Sequence, residues 1–412
     1  MIDVVGMGAE GPDSCTESGR RALAEAEVIL GGARQLALAA KTAGDAELIE
    51  WPSPLRAGLP GLLARCAGRR VAAVASGDPL VAGIGSTLIE ILGAEAVRIH
   101  PAVSSVALAR ARMGWSADEV DLLRLRADRD VDALRRLLAP GRRILVLSAD
   151  ETSPAAVAAV CWDAGVPGAR LTILGNLGTE DEYRRETTAT GLAVESTDDV
   201  PRLNIVAVEC AAGERPVSGW LAPGLPDEAF EHDGQLTKRH VRTAALAALQ
   251  PAPGELLWDL GAGAGSVGIE WARLHRANRV AAVEQDRERA DRIARNACTL
   301  GVPHVAVTVG SSLTSLAELP DPDAIFVGGG VSPDLLSACW DRLPARGRLV
   351  VHGVTLETEA LLLDHHARLG GDLVRLEVST AGPLGSRRGW QPARPVVQWA
   401  VTKPASAVER DT

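Results

Sequence analysis

Residues 256–270 read Leu-Leu-Trp-Asp-Leu-Gly-Ala-Gly-Ala-Gly-Ser-Val-Gly-Ile-Glu, and no other stretch restricts the fold as much. The apolar run Leu256–Leu260 carries one acid, Asp259, then breaks into three alternating glycines, Gly261, Gly263 and Gly265. From Ser266 to Leu274 the spacing suits a helix. This order predicts a strand, a tight turn and a helix start, because glycine admits positive φ and lets a ligand approach the backbone. A second apolar run, Arg279–Glu284, ends in an acid 19 residues beyond Gly265. An acid at that strand tip is placed to accept hydrogen bonds from both ribose hydroxyls of an adenine nucleoside.

Two nucleoside chemistries compete for such a turn. A dinucleotide fold needs Gly-x-Gly-x-x-Gly, whose third glycine permits close helix packing. Here Gly261-Ala-Gly263-Ala-Gly-Ser-Val-Gly268, with Asp259 two residues ahead, does not fit, which disfavours an NAD dehydrogenase. The run Asp-Leu-Gly-Ala-Gly-Ala-Gly resembles motif I of the class I S-adenosylmethionine (SAM) methyltransferases. That resemblance implies a Rossmann-like fold in which Asp259 and the loop Gly261, Ala262, Gly263, Ala264 and Gly265 hold the methionine end. It assigns the ribose to Glu284. The lead-in Leu236-Thr-Lys238 is similar to that of the same family, so Thr237 is expected to touch SAM. After the third strand the family often shows Gly-Asp-Ala, whereas this chain has Gly310-Ser-Ser312. Ser311, Ser312 or a backbone carbonyl is then expected to meet the adenine amino group.

The first half carries a different set of signals. Ile2–Val5 runs as a buried strand into Gly6-Met-Gly8, and Val71–Ala75 runs into Ser76-Gly-Asp-Pro79. A small-residue loop, Leu80 to Gly85, leads into a helix, and Val97–His100 precedes Pro101-Ala-Val-Ser-Ser-Val106. Further strands are expected at Arg143–Leu147, Leu171–Leu174 and Leu203–Val208, alternating with helices in an α/β pattern. Together these motifs resemble the tetrapyrrole (class III) methylase family, whose SAM lies folded between two α/β lobes. The resemblance implies cofactor contacts from Gly6, Gly8, Gly77, Asp78, Pro79, Val81, Ser104 and Ser105.

Residues 210–230 are rich in Gly and Pro without periodicity and are expected to link two domains, 1–209 and 231–403. The expected fold class is α/β throughout: a two-lobed tetrapyrrole methylase followed by a Rossmann-like class I methyltransferase. At 412 residues the chain is too long for one ordinary core. Six cysteines scatter without a CxxC pair, as expected for reduced, mostly buried thiols in a cytoplasmic protein. No basic leader pattern and no apolar run of membrane-spanning length stands out.

The order of the two resemblances is similar to that of the fused methyltransferase–decarboxylases of cobalamin biosynthesis, which act on a precorrin macrocycle. In that family the first domain is associated with methylating carbon 5. The second is associated with carbon 15 and with loss of carbon dioxide from the carbon-12 acetate. Such a substrate is polyanionic, and a chain with 43 basic against 53 acidic residues repels it at long range. Local cations are then needed: Lys238, Arg239 and Arg242, the group Arg124, Arg126 and Arg129, and Arg387 and Arg388 with Arg394, beside Trp390 as a flat surface for the macrocycle. Decarboxylation wants a nearby acid, for which His240 and His352 are candidates. No metal is expected, since adjacent His365 and His366 point apart on a helix and are expected at the surface. Both parent families imply homo-oligomers. Two readings of another kind stay open: an RNA methyltransferase, which the acidic balance disfavours, and a non-catalytic adenine-nucleotide-binding module.

Overall fold

The computed structural model describes residues 1–126, 128–211, 213 and 216–405, the side chains of 128 and 129 excepted. The chain forms two compact units, one from 1–128 and 140–212, the other from 129–139 and the chain beyond 213. Residues 129–139 thus leave the first unit's sequence and join the second.

The first unit contains two five-stranded sheets. Strands β1 (Ile2–Met7), β2 (Val28–Gly31), β3 (Glu47–Glu50), β4 (Val71–Ser76) and β5 (Val97–His100) form a parallel sheet in the order β3-β2-β4-β1-β5. Its central strands are apolar on both faces because each face has its own helices to cover it. Val4, Leu30 and Ala73 pack with Leu59 and Leu88 on one side, and Val5, Ile29 and Val74 with Leu23 and Leu36 on the other. Strands β6 (Val120–Arg124), β7 (Arg143–Leu147), β8 (Arg170–Gly175), β9 (Tyr183–Thr188) and β10 (Asn204–Glu209) follow in the order β6-β7-β10-β8-β9. Only β6 and β7 pair in parallel there; the rest is antiparallel. The expected α/β alternation thus runs through both lobes, but in the second the strands pair mostly antiparallel and β9 follows β8 without an intervening helix.

The second unit is built on β11 (Leu256–Leu260), β12 (Arg279–Glu284), β13 (Ala306–Val309), β14 (Ala324–Val327), β15 (Arg348–Gly353), β16 (Asp372–Leu376) and β19 (Val396–Thr402). Their order is β13-β12-β11-β14-β15-β19-β16, parallel up to β15, with β19 antiparallel to both neighbours. Strand order reverses about β11, so the glycine turn after β11 opens at the crevice where doubly wound sheets bind ligands. Strands β17 (Ser379–Leu384) and β18 (Arg387–Pro392) form a separate hairpin between β16 and β19. Leu257 and Trp258 both have no exposure and face opposite layers. Residues 216–230 also contribute to this unit, through buried Ser218, Leu225 and Phe230. No helix among the described residues is long and apolar enough to cross a membrane.

Candidate active sites

In the second unit the loop after β11 takes left-handed backbone at Gly261 (φ 66°), Gly263 (φ 58°) and Gly265 (φ 75°). A Cβ on Gly261 would lie 2.7 Å from the Gly329 carbonyl oxygen, and one on Gly263 2.8 Å from that of Gln235. Both positions need glycine for conformation and for space. Glu284, buried at the tip of β12, pins the loop: its carboxylate accepts from the Gly263 amide at 2.8 Å and the Asp286 amide at 3.1 Å. Asp259 is 1 % exposed, and one of its oxygens accepts from the Gly268 amide at 2.9 Å. Its other oxygen is buried without a partner, and burial pushes the carboxyl up to about 7, with the charge of Glu284 adding to the rise.

Two cavities open from this turn. One, of about 450 Å³, runs along the ends of β11 to β14 and is walled by Gly261, Gly263, Glu284, Ser311, Ser312 and Gly328–Gly330. The other, of about 770 Å³, shares Gly261 and Gly263 and adds Ala262, Thr237, Lys238, Arg239, His240, His352 and Arg394. The structure thus brings together most residues expected at this site. Lys238 and Arg394, two of the expected local cations, line the larger cavity, whereas Gly328–Gly330 line the site without having been assigned to it; the glycine run directly after β14 was the available signal.

Other expected residues lie elsewhere. Ala264 is 1 % exposed, and Gly265 caps the following helix with Ile293 against it, so neither lines a cavity. Arg242 does not reach substrate: its side chain has no exposure. Its guanidinium donates to Glu270 at 2.6 Å, to the Thr237 carbonyl at 2.6 Å and to Asp227 at 3.2 Å, and also to the Leu225 carbonyl. The helix Arg239–Leu249 turns Arg239 toward the cavity and Arg242 into the core. Arg387, Arg388 and Trp390 sit on the β17–β18 hairpin outside both cavity walls, with Trp390 76 % exposed. Arg124 and Arg126 line neither cavity, and the side chain of Arg129 lies outside the described residues. His365 is buried against Trp399 and not at the surface.

The two histidines differ sharply. His240 is exposed within the larger cavity. His352 is 7 % exposed, its Nε2 lies 3.0 Å from Gln398 Oε1, and the Phe326 ring meets its edge at 4.9 Å. Burial pulls His352 down to about 4, so at neutral pH it is uncharged. His352 therefore meets the larger cavity as a neutral ring.

The first unit has its own cleft, of about 230 Å³, with walls from both sheets: Met7, Gly8, Ser76, Gly77 and Ser105 on one side, Leu147, Ser148, Leu174, Asn176 and Asn204 on the other. Gly8 donates its amide to Ser14 Oγ at 2.7 Å, and Gly77 donates to the Met7 carbonyl at 2.7 Å. Gly6 and Pro79 lie beneath this wall. A Cβ on Gly6 would sit 2.1 Å from the Gly77 oxygen and 3.0 Å from Pro79 Cδ. Asp78, Val81 and Ser104 are outside the cavity wall. Asp78 accepts from the Leu80 amide at 2.8 Å, and Ser104 caps a helix by accepting from the Ala107 amide at 3.1 Å.

Comparison with known proteins also finds two parts in the chain, with residues 129–139 falling in the first match although they pack in the second unit. Residues 1–193 match the family of tetrapyrrole (corrin/porphyrin) methylases, and residues 228–403 match the precorrin methyltransferase domain. The chain is 43% identical over 404 residues to a precorrin-6Y C(5,15)-methyltransferase [decarboxylating] of Sinorhizobium sp, covering 98% of this chain and 96% of that one. The Mycobacterium tuberculosis protein of the same name is 43% identical over 405 residues, covering 98% of this chain and all of that one. Among solved structures, the C-terminal domain of precorrin-6Y C5,15-methyltransferase from Rhodobacter capsulatus is 43% identical, with a TM-score of 0.43. It covers 45% of this chain and 100% of that one. Relatives at this identity span nearly the whole chain, and the chain therefore belongs to the family of decarboxylating precorrin-6Y C(5,15)-methyltransferases.

Proposed function

We propose that the chain methylates precorrin-6Y at carbon 5 and carbon 15 and releases carbon dioxide from the carbon-12 acetate. Carbon 5 is assigned to the first domain (1–209), and carbon 15 with decarboxylation to the second (231–403). The reading includes one SAM per domain, no metal and a cytoplasmic homo-oligomer. The observation that carries it is one glycine-walled cleft in each unit, built on different folds, in a chain of this family.

SAM supplies a methyl group on a positively charged sulfur that departs as a neutral thioether. The protein's task is mainly to orient the acceptor carbon and exclude water. In the second unit the bare backbone at Gly261 and Gly263 leaves room for an adenosyl ligand, while Asp259, which lines neither cavity, braces the turn from beneath through the Gly268 amide. Glu284 is held by two amides and keeps lone pairs for ribose hydroxyls. Arg242 fixes the Thr237 carbonyl and so the segment that roofs the larger cavity. Arg239 and Arg394 offer that cavity local positive charge for a polycarboxylate against a net −10, while Lys238 on the same wall pairs with Asp227 at 3.7 Å.

In decarboxylation the carbon–carbon bond to the carboxylate breaks, its electron pair is delocalised into the macrocycle, and the same pair returns to the acetate's methylene carbon to bind a proton, leaving a methyl group and carbon dioxide. His240, exposed in the cavity, is placed to deliver that proton; neutral His352 serves as a hydrogen-bonding wall. Mass spectrometry of precorrin-6Y incubated with the full chain and SAM is expected to show two methyl groups gained and one carbon dioxide lost. Calorimetric titration with SAM is expected to give two sites per chain. An unchanged macrocycle mass would refute the reading.

A further inference from the structure

The first unit's cleft holds two arginines that neither motif pointed to. Arg34, at the start of the helix Ala33–Ala39, enters from the first lobe, and Arg202, just before β10, enters from the second. Between them the walls are largely apolar, with Leu108, Leu147, Leu174 and Leu177.

Each arginine is set in place by its neighbourhood. Arg34 donates from Nη2 to Ser76 Oγ at 3.3 Å, at the end of the strand leading into Gly77. Arg202 lies on a short loop fixed by Asn204, which is 7 % exposed. The Asn204 amide donates to the Pro201 carbonyl at 2.9 Å and to the Asp150 carbonyl at 3.1 Å, while its oxygen accepts from Ser148 Oγ at 2.5 Å. The Asn176 amide donates to the Leu203 carbonyl at 3.0 Å and ties the same loop down from the other side. Among the described residues, neither guanidinium has a carboxylate within 4.0 Å, whereas Arg56, Arg112, Arg142, Arg185 and Arg242 all do. Burial acts on Arg34 with no acid to offset it. Two cations on opposite walls of an apolar cleft, neither in ion-pair contact with a carboxylate although the charge of Arg202 is felt by Asp150, suit a ligand with an apolar body and at least two separated carboxylates.

We propose that Arg34 and Arg202 form the carboxylate-anchoring subsite of the first cleft, gripping acidic side arms of the macrocycle from opposite lobes. The inference rests on the functional reading above. A methionine carboxylate is the competing source of the same charge, and the test separates the two. The full chain, its R34A/R202A variant and its R34K/R202K variant are incubated with SAM and a range of precorrin-6Y concentrations. Products with one and two added methyl groups are counted by mass spectrometry, and SAM affinity is measured by calorimetry.

The alanine variant is expected to raise the KM for the methyl group that the first domain adds about tenfold or more, with SAM affinity within about twofold of the parent and kcat little changed. The lysine variant is expected to recover much of the loss. An unchanged KM overturns the proposal, and so does a tenfold loss of SAM affinity, which would assign the arginines to the methyl donor. Failure of the parent chain to methylate precorrin-6Y at all would strike the functional reading instead.

Discussion

Asp259 and His352 are both buried beside the second unit's cavities, and burial moves them in opposite directions. Asp259 rises from 3.8 to about 7, so between those values the folded chain keeps a proton that the unfolded chain has lost. Its contribution is greatest below pH 4 and is lost as pH climbs through 7, a span of roughly 4 kcal/mol. His352 falls from 6.5 to about 4, so there the unfolded chain holds the extra proton. Its contribution is present above pH 6.5 and is lost as pH falls through 4, a span of roughly 3 kcal/mol. In the parent chain the two slopes largely cancel between pH 4 and 6.5. Melting temperatures relative to the parent are therefore expected to climb with pH across this window for Asp259→Asn and to decline for His352→Gln. Parallel curves would contradict the opposed shifts. The buried Arg242–Glu270 pair belongs to the same scale. Arg242 makes four hydrogen bonds and Glu270 accepts three, and leaving one partner alone in that core would cost roughly 3–5 kcal/mol.

The turn after β11 concentrates the second site's demands on backbone shape. Gly263→Ala would place a methyl 2.8 Å from the Gln235 carbonyl and force an L-residue to φ 58°, which costs about 1–2 kcal/mol before any clash. Calorimetry of this variant is expected to show one SAM site per chain in place of two, with the remaining affinity unaltered; two unaltered sites would refute it. This turn was legible in the sequence because strand, glycines, helix and the second acid all agree at fixed spacing. Helix Arg239–Leu249 was equally legible, yet its rotation was not. Arg239 and Arg242 read alike in one dimension, and only packing sends one to the cavity and the other to Glu270. Strand β9 (Tyr-Arg-Arg-Glu-Thr-Thr) escaped notice because an edge strand needs no apolar alternation. Its charges pair locally, Arg184 with Glu186 and Arg185 with Glu195. Arg34 and Arg202 carry no motif at all: each is an isolated charge whose role depends on which lobe wall it joins.

At the scale of the whole chain, a single cut near residue 213 would not yield two intact units. The downstream fragment would lack 129–139, where Leu134 and Leu138 are fully buried. The backbone of Arg136 also comes close enough to Gly301 that a Cβ there would lie 2.6 Å from its nitrogen. Fragment 213–412 is expected to be less stable than the same unit in the full chain, by on the order of 3–5 kcal/mol for two unburied leucines. Denaturant titration of the fragment, with and without a peptide spanning 129–139, measures this; a fragment as stable as the unit in the full chain would refute it. The same segment imposes an order on synthesis. Arg136 leaves the ribosome about 165 residues before the Gly301 turn it packs against, a wait of roughly 10–30 s at ordinary elongation rates. Through that interval the chain carries an amphipathic ribbon whose Leu134 and Leu138 have no seat yet, which gives a chaperone a defined window in which to hold it.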